Sequence, residues 1–154
     1  MEIVIKQVIP TNAEVLSLIS KLDAYQINLY GVEHCNLESP ESLSQPEAYM
    51  LGAFVGEQLA GIGGIKLLGT YGEIKRMYVE ESFRGLSIAE KILRSLENYA
   101  VQQGVFKICL ETGFLHDAAL AFYKKLGYRQ IESFGNYRPN KVSVYFEKTE
   151  AASR

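Results

Sequence analysis

One segment of the sequence combines a strand pattern, a short turn and the start of an amphipathic helix. The strand pattern ends at Val79, and the turn and helix start read Arg84-Gly85-Leu86-Ser87-Ile88-Ala89. A helix that begins with small residues leaves its first N–H groups unpaired and presents the positive end of its dipole, and both favour a phosphate. The segment therefore predicts an anion site at residues 84–89. Gly85 and Ser87 fit a plain turn and helix cap equally well, and the spacing matches neither a P-loop nor a dinucleotide fingerprint.

Composition and charge restrict the class of protein. The chain has 154 residues, 47% hydrophobic and 22% charged, which excludes intrinsic disorder and favours one compact domain. The formal net charge of −2 and the lack of a Lys/Arg stripe argue against nucleic acid as a partner. Since no run approaches the ~18 apolar residues of a membrane span and the first residues do not resemble a signal peptide, we expect a cytoplasmic protein without a membrane partner. Cys35, Cys109, His34 and His116 lack zinc-ligand spacing, so no metal is predicted.

The hydrophobic period indicates which elements position these residues. A period of two or a short apolar run predicts strands at 3–5, 49–55, 58–67, 72–79, 105–110, 128–134 and 142–146, and a period near 3.6 predicts helices at 12–30, 85–103 and 116–126. Thr11 and Glu14 stand at capping-box spacing before the first helix. A βαβ unit around helix 85–103 makes strand 105–110 parallel to strand 72–79. We expect a single domain over residues 1–149 and a loose tail over 150–154.

Two segments follow the signature motifs of a known family. Arg84 and Ala89 fit the pattern Q/R-x-x-G-x-G/A after a strand that ends at Val79, while Ser87 stands in place of its middle glycine. The second segment, His116-Asp-Ala-Ala-Leu-Ala-Phe-Tyr-Lys-Lys-Leu-Gly-Tyr128, fits Asn-x-x-Ala-x-x-Leu/Phe-Tyr-x-x-x-Gly-Phe/Tyr with histidine in place of the asparagine. On these motifs, the chain resembles the GNAT superfamily of acyl-CoA-dependent N-acetyltransferases over nearly its whole length. The resemblance implies an α/β fold with a mixed, V-splayed, seven-stranded sheet and helices on both faces.

The resemblance also implies a binding mode for acetyl-CoA, which would serve as the acyl donor without a metal. The strand around residues 77–79 would separate from its parallel neighbour and pair with the pantetheine arm like an added strand. The amides of residues 84–89 would hold the pyrophosphate, and a backbone N–H near Tyr78 would polarise the thioester carbonyl. The implied cofactor-binding residues are Met77, Tyr78, Val79, Arg84, Gly85, Leu86, Ser87, Ile88, Ala89, His116 and Tyr123.

Tyr123 and Glu73 are the catalytic residues that the resemblance implies. Attack by an amine on the thioester expels a thiolate, and a phenol, which stays protonated at neutral pH, suits the proton donor that this thiolate needs. The spacing of Tyr123 on its helix also fits core packing. The amine must be neutral to attack, so a base or a chain of water molecules is needed. Glu73 is the first candidate for the base and Glu111 the second. Glu73 equally fits a solvated carboxylate paired with Lys75 or Arg76.

The resemblance also implies that the acceptor is a primary amine on a small molecule or a peptide. Its pocket would include Tyr30, Glu33 and His34, which also fit a solvated loop. Neither Cys35 nor Cys109 has an activating base beside it in sequence, which favours direct transfer in a ternary complex. The alternative function is a non-catalytic acyl-CoA-binding or sensing module, and the oligomeric state, including a homodimer, is open.

Overall fold

The computed structural model describes residues 2–35 and 39–150. Its strands are β1 (Ile3–Gln7), β2 (Ala48–Val55), β3 (Gln58–Leu67), β4 (Gly72–Val79), β5 (Lys107–Gly113), β6 (Arg129–Ile131) and β7 (Ser143–Thr149). Its α-helices are α1 (Ala13–Tyr30), α2 (Ile88–Gln102) and α3 (Asp117–Lys125), with short 3-10 helices at Val32–His34, Ser42–Ser44 and Glu81–Phe83. The predicted element order is confirmed, although β6 is shorter than expected, β5 and β7 extend further, and α2 begins later.

The strands form one mixed sheet in the order β1-β2-β3-β4-β5-β7-β6. β4 and β5 are parallel, and the other neighbouring strands are antiparallel. In the described part of the chain, β4 and β5 pair at two positions, Gly72 with Ile108 and Glu73 with Cys109. Beyond Glu73 the two strands separate, so the rest of β4, up to Val79, has no strand partner on the side of β5 among the described residues. This divergence is the predicted V-shaped splay.

Helices cover both faces of the sheet. Along β2, Leu51 belongs to a core cluster with α2 and α3, whereas the adjacent Met50 belongs to a cluster with α1. Because successive strand residues point to opposite faces, α1 lies on one face and α2 with α3 on the other. The apolar stripe of α2 faces the core as its period predicts, with Ile92 and Leu96 both fully buried.

A β-bulge interrupts β4 just after the point where the strands separate. The register with β3 shifts so that Arg76 and Met77 both oppose Gly63, and Arg76 takes a positive φ of 57°. Gly63 has room for no side chain, because a Cβ there would collide with the Sδ atom of Met77 and would lie 2.7 Å from Cγ2 of Ile92. The absence of a side chain at Gly63 therefore lets Met77 cross the sheet face at the bulge.

The ends of two elements correct the sequence predictions. The capping box at Thr11 and Glu14 is wrong, because Asn12 is the N-cap of α1 and its side chain makes no capping hydrogen bond. Glu150 is not loose, since its backbone N–H donates to the carbonyl of Phe106 at 2.6 Å. Residues 151–154 of the predicted tail lie outside the described residues. Within the described ranges, no helix is long and apolar enough to cross a bilayer.

Candidate active site

A cavity of about 450 Å³ lies where β4 ends and α2 begins, opposite one face of α3. We call it the larger cavity. All the predicted cofactor residues except Leu86 and His116 line it, and they are joined by Phe83, Ala118, Phe122 and Lys125, among others. Residues of a strand, a turn and two helices, separated by up to about 50 positions in the chain, therefore meet at one site.

The start of α2 forms the wall of this cavity that is rich in backbone donors. Ser87 is the N-cap, and its carbonyl accepts the N–H of Lys91 at 3.1 Å, so the N–H groups of residues 88–90 have no partner within the helix. Ser87 has a φ of 61°, in the left-handed region, although a residue at a helix start ordinarily has a negative φ. Gly85 also has a positive φ, of 87°, and a Cβ there would meet no atom within 4 Å. The turn thus leaves the amides of α2 open to an anion.

Arg84 adds a fixed positive charge to the same wall. Its Nε donates to the carbonyl of Val79 at 3.1 Å, and its guanidinium carbon lies 5.7 Å from the centre of the Tyr78 ring. Both contacts hold the side chain against the end of β4, and Lys125 lines the cavity from α3. Glu90 also lines the cavity, but its carboxylate lies 3.8 Å from Arg94. The two cations and the three amides without a partner in the helix therefore favour a ligand that carries phosphate groups.

A second, smaller cavity of about 90 Å³ occupies the gap between the separating strands. Its lining includes Glu73, Lys75 and Arg76 of β4, Glu111 of β5, His116, Tyr137, and Leu22 and Gln26 of α1. The two cavities have Met77, Ala119 and Tyr123 in common. The two cavities are therefore adjacent, and molecules bound in them would lie next to each other beside these three residues.

Glu73 is buried in a hydrogen-bonded network at the base of the gap. Its carboxylate accepts the hydroxyl proton of Tyr137 at 2.6 Å and lies 2.9 Å from the ammonium of Lys75. Burial is the largest single influence on the pKa of Lys75 and lowers it, but the charge of Glu73 and the hydrogen bonds to Glu73 and Tyr137 together outweigh burial, so the pKa lies above its ordinary value. Glu73 is 5% exposed, so it is not the solvated carboxylate of the alternative interpretation. Its cationic partner is Lys75, while Arg76 pairs with Asp23 of α1.

Tyr123 is both a core residue and a wall of both cavities. It is 7% exposed, and its ring packs against the rings of Phe122, Tyr128 and Phe146. Burial raises the pKa of its hydroxyl above the ordinary value of 10.0. The phenol is therefore protonated throughout the neutral range, so it can donate a hydrogen bond to a group at the junction of the cavities.

Comparison with known proteins identifies the family. The model of the acetyltransferase (GNAT) family matches residues 17–128, which is more than half of the chain. The chain belongs to the GNAT family. The IAA acetyltransferase of Azospirillum brasilense is 34% identical over 141 residues, which are 90% of this chain and 92% of that protein.

Solved structures of GNAT proteins share the fold. A Klebsiella pneumoniae protein assigned to the acyl-CoA N-acyltransferases superposes with a TM-score of 0.81 at 32% identity, covering 96% of this chain and 97% of its own. The PaiA N-acetyltransferase of Thermoplasma acidophilum, solved in complex with coenzyme A, has a TM-score of 0.76 at 20% identity and covers 97% of this chain and 99% of its own. The seven-stranded, splayed sheet is thus the GNAT fold.

Two residues that the GNAT resemblance assigns to the cofactor lie elsewhere in the structure. Leu86 is 37% exposed and does not line the larger cavity. His116 lines the smaller cavity, and its ring centre lies 4.8 Å from that of Tyr25. Its Nε2 is buried without a hydrogen-bond partner among the described residues, and burial lowers the pKa of the imidazole. The geometry therefore places His116 on the side away from the GNAT signature turn.

The structure does not bring the three predicted acceptor residues into either cavity. Glu33 and His34 lie in the short helix after α1, where their side chains are exposed and the Glu33 carboxylate lies 3.7 Å from Nε2 of His34. Tyr30 packs against the loop after β5, and its hydroxyl accepts the N–H of Leu115 at 3.0 Å. Helix α1 runs past the gap before it ends at Tyr30. The α1 residues at the smaller cavity are therefore Leu22 and Gln26, which lie one to two turns before Tyr30.

Among the site residues that sequence reasoning missed, Tyr137 is the one that bonds directly to Glu73. It lies in the loop between β6 and β7 and reaches across to Glu73, 64 positions away in the chain. The sequence signal that could have identified Tyr137 is an aromatic residue in a polar loop, since such a ring seldom stays in solvent without a packing partner. Here it packs against Phe134 and Tyr145.

The two cysteines have the environments of unreactive thiols. Cys109 is buried on β5, and burial raises the pKa of its thiol to about 11. Partial burial likewise raises the pKa of Cys35. Neither side chain is a thiolate at neutral pH, which disfavours a covalent acyl-enzyme on cysteine. Among the described residues, no group of three or more His, Cys, Asp or Glu side chains could hold a metal ion.

Proposed function

We propose that the chain transfers the acetyl group of acetyl-CoA to a primary amine of a small molecule or peptide, by direct attack in a ternary complex. The observation that carries the proposal is the meeting of the two cavities at Met77, Ala119 and Tyr123. One cavity has the unpaired amides and cations that suit the pyrophosphate of the cofactor, and the other has buried charges that suit an amine. The coenzyme A bound to a protein of the same fold supports this choice of donor.

The separation of β4 from β5 suits the pantetheine arm. Between Ile74 and Val79, the edge of β4 that faces β5 has no strand partner in the described chain. An extended arm that enters here pairs with backbone groups as an added strand does. The arm then runs from the N-terminus of α2 to the junction at Tyr123, with the thioester near the backbone of Tyr78.

The proton balance assigns a role to each side chain at the junction. The acceptor arrives as an ammonium ion, and Glu73, directly or through a water, takes one proton from it. The neutral amine attacks the thioester carbonyl carbon, a C–N bond forms, and the C–S bond breaks. Tyr123 donates its proton to the leaving thiolate and recovers the second proton of the amine. The products are the acetamide, free coenzyme A and one proton, which Glu73 releases to solvent to restore its carboxylate.

Replacing Tyr123 with Phe tests this assignment. The ring packing stays while the hydroxyl is lost, so acetyl-CoA binding should change little and kcat should fall by ~10²-fold or more. Tyr128→Phe is the matched control, because Tyr128 is a buried neighbour whose hydroxyl donates to Glu97 at 2.7 Å, outside both cavities. We expect that variant to keep kcat and to lose ~1–3 kcal/mol of stability. If Tyr123→Phe keeps the full kcat, the Tyr123 hydroxyl is not the proton donor and the residue serves only in core packing.

A panel of amines separates the enzyme from a non-catalytic acyl-CoA-binding module. Acetyl-CoA should raise the melting temperature of the protein, whereas ATP and NAD should not, and the enzyme should release thiol from acetyl-CoA when an amine is added. Stabilisation by acetyl-CoA without thiol release across the panel would favour the binding module. Stabilisation by ATP or NAD alone would exclude the proposed cofactor.

A further inference from the structure

The smaller cavity contains charged groups of both signs. Glu73 and Glu111 contribute carboxylates, and Lys75 and Arg76 contribute cations. An amine acceptor needs a carboxylate near its nitrogen, but it does not by itself need a cation. The presence of cations in a cavity of about 90 Å³ therefore requires a separate explanation.

Lys75 is accounted for by its neighbours. Its ammonium lies 2.9 Å from the Glu73 carboxylate and 3.1 Å from the Tyr137 hydroxyl. These contacts are part of the network that fixes the base, so Lys75 has a role within the protein itself.

Arg76 is bonded less completely. Its side chain is 4% exposed, and one of its terminal nitrogens bonds to Asp23 of α1. Its Nε is buried and has no hydrogen-bond partner among the described residues. A guanidinium has five N–H donors, and a buried donor without an acceptor is unfavourable. The β-bulge is what places this side chain at the gap, because Arg76 is the residue with a positive φ.

We infer that the amine acceptor carries a carboxylate, which binds the Arg76 guanidinium while the amine faces Glu73. This inference rests on the proposed function. Arg76 lines the smaller cavity, and the planar fork of arginine matches a carboxylate, so a carboxylate in the cavity can accept hydrogen bonds from the guanidinium. The small volume of the cavity suits an amino acid backbone or a short amino-carboxylate, with any larger side chain directed outward. The acceptor class is thus a zwitterion with both charged groups held in the gap between β4 and β5.

Matched acceptors test the inference on the unmodified protein. Alanine and β-alanine both become ethylamine on removal of the carboxylate, and alaninamide replaces the carboxylate by a neutral group of similar shape. We expect kcat/KM for the better of the two amino acids to exceed that for ethylamine and for alaninamide by tenfold or more. Phenylalanine, phenethylamine and phenylalaninamide repeat the comparison for a larger side chain, and 2-aminoethylphosphonate tests a different anion.

The possible outcomes are distinct. Equal kcat/KM for the amino acids, amines and amides would overturn the inference and leave the proposed function intact. Preference for the phosphonate over both carboxylates would overturn the choice of anion. Binding of acetyl-CoA with no acetylation of any acceptor would overturn the proposed function and the inference together.

Two variants locate the effect on Arg76. Arg76→Lys keeps the charge and loses Nε, so the preference for the carboxylate should fall at least fivefold, through KM more than through kcat. Asp23→Asn is the control, because it weakens the ion pair with α1 and leaves the guanidinium in place. We expect this control to retain the preference. Loss of the preference in Asp23→Asn but not in Arg76→Lys would show that the ion pair is structural, and would overturn the inference.

Discussion

Gly63 provides the sharpest test of the geometry at the bulge. In Gly63→Ala, the new Cβ would collide with Met77 and would lie 2.7 Å from Cγ2 of Ile92, a fully buried residue of α2. Ordinary carbon contacts are ~3.5–4.0 Å, so α2 or the bulge must move by about 1 Å. Overpacking of this kind costs ~1–3 kcal/mol, and we expect the upper half of that range because Ile92 belongs to a rigid helix.

Gly64 is the matched control for this substitution. It is the next residue of β3, and a Cβ there would meet its nearest atoms at 3.6 Å, an ordinary contact. Gly64→Ala should therefore be neutral, or stabilising by up to ~1 kcal/mol, because alanine restricts the unfolded chain.

Urea unfolding and enzyme kinetics measure the two consequences. The urea concentration at the unfolding midpoint should be lower in Gly63→Ala than in the wild type, with an unchanged m-value. In Gly64→Ala the midpoint should not fall. Met77 lines both cavities, so its displacement should also lower kcat/KM for acetyl-CoA, by as much as ~10²-fold. Wild-type stability and kinetics in Gly63→Ala would refute the view that the close approach of Met77 and Ile92 fixes the site.

Three further predictions concern single side chains. Glu73→Gln should lower the rate near neutral pH and recover part of it at high pH, where free amine is abundant, whereas Tyr123→Phe should show no such recovery. Ser87→Gly should stabilise the protein by about 1 kcal/mol, because serine is strained at a positive φ, and should change acetyl-CoA affinity by less than about tenfold. Burial lowers the pKa of His116, so the unfolded chain takes up a proton near pH ~6.5 while the native state resists it. Stability should therefore fall as pH drops from 7.5 to 5.5, and His116→Asn should reduce that loss.

Each of these predictions has a contrary result. An unchanged rate in Glu73→Gln at pH 7 would remove that residue as the base and favour Glu111. A large gain of cofactor affinity in Ser87→Gly would mean that Ser87 weakens the site, which would favour the non-catalytic function. Equal loss of melting temperature between pH 7.5 and 5.5 in His116→Asn and the wild type would show that the imidazole titrates normally.

The sequence predicts those parts of the fold that depend on local periodicity. The four-residue spacing of Ile88, Ile92 and Leu96 is enough to place α2 and its buried face, and those residues are buried as expected. The positive φ of Ser87 was not predictable in this way, because a serine at a helix start is compatible with an ordinary cap. The bulge at Arg76 was also missed, since it depends on the register with β3, and a strand pattern contains no information on register.

The site was predicted less completely than the fold, for a related reason. The cofactor residues of β4 and α2 are close in sequence, so one motif identifies nearly all of them. The smaller cavity instead combines α1, β4, β5, α3 and the loop before β7, and which turn of α1 faces the gap depends on how the helix crosses the sheet. Leu22 and Gln26 thus replace the residues predicted near the end of that helix.

The short pairing between β4 and β5 has a consequence for the lifetime of the protein. In the part of the chain that the structure describes, two residue pairs join the block β1–β4 to the block of β5, β7 and β6, so we expect the backbone pairing to open at this seam more readily than between the strands of β1–β4. A pantetheine arm lying along β4 would clamp the seam, and amide hydrogens of Ile74 to Val79 should then exchange more slowly with deuterium. Proteases cut the opened state, so cleavage should slow in step with cofactor occupancy. The concentration of acetyl-CoA would thereby control how long each molecule persists, as well as how fast it turns over.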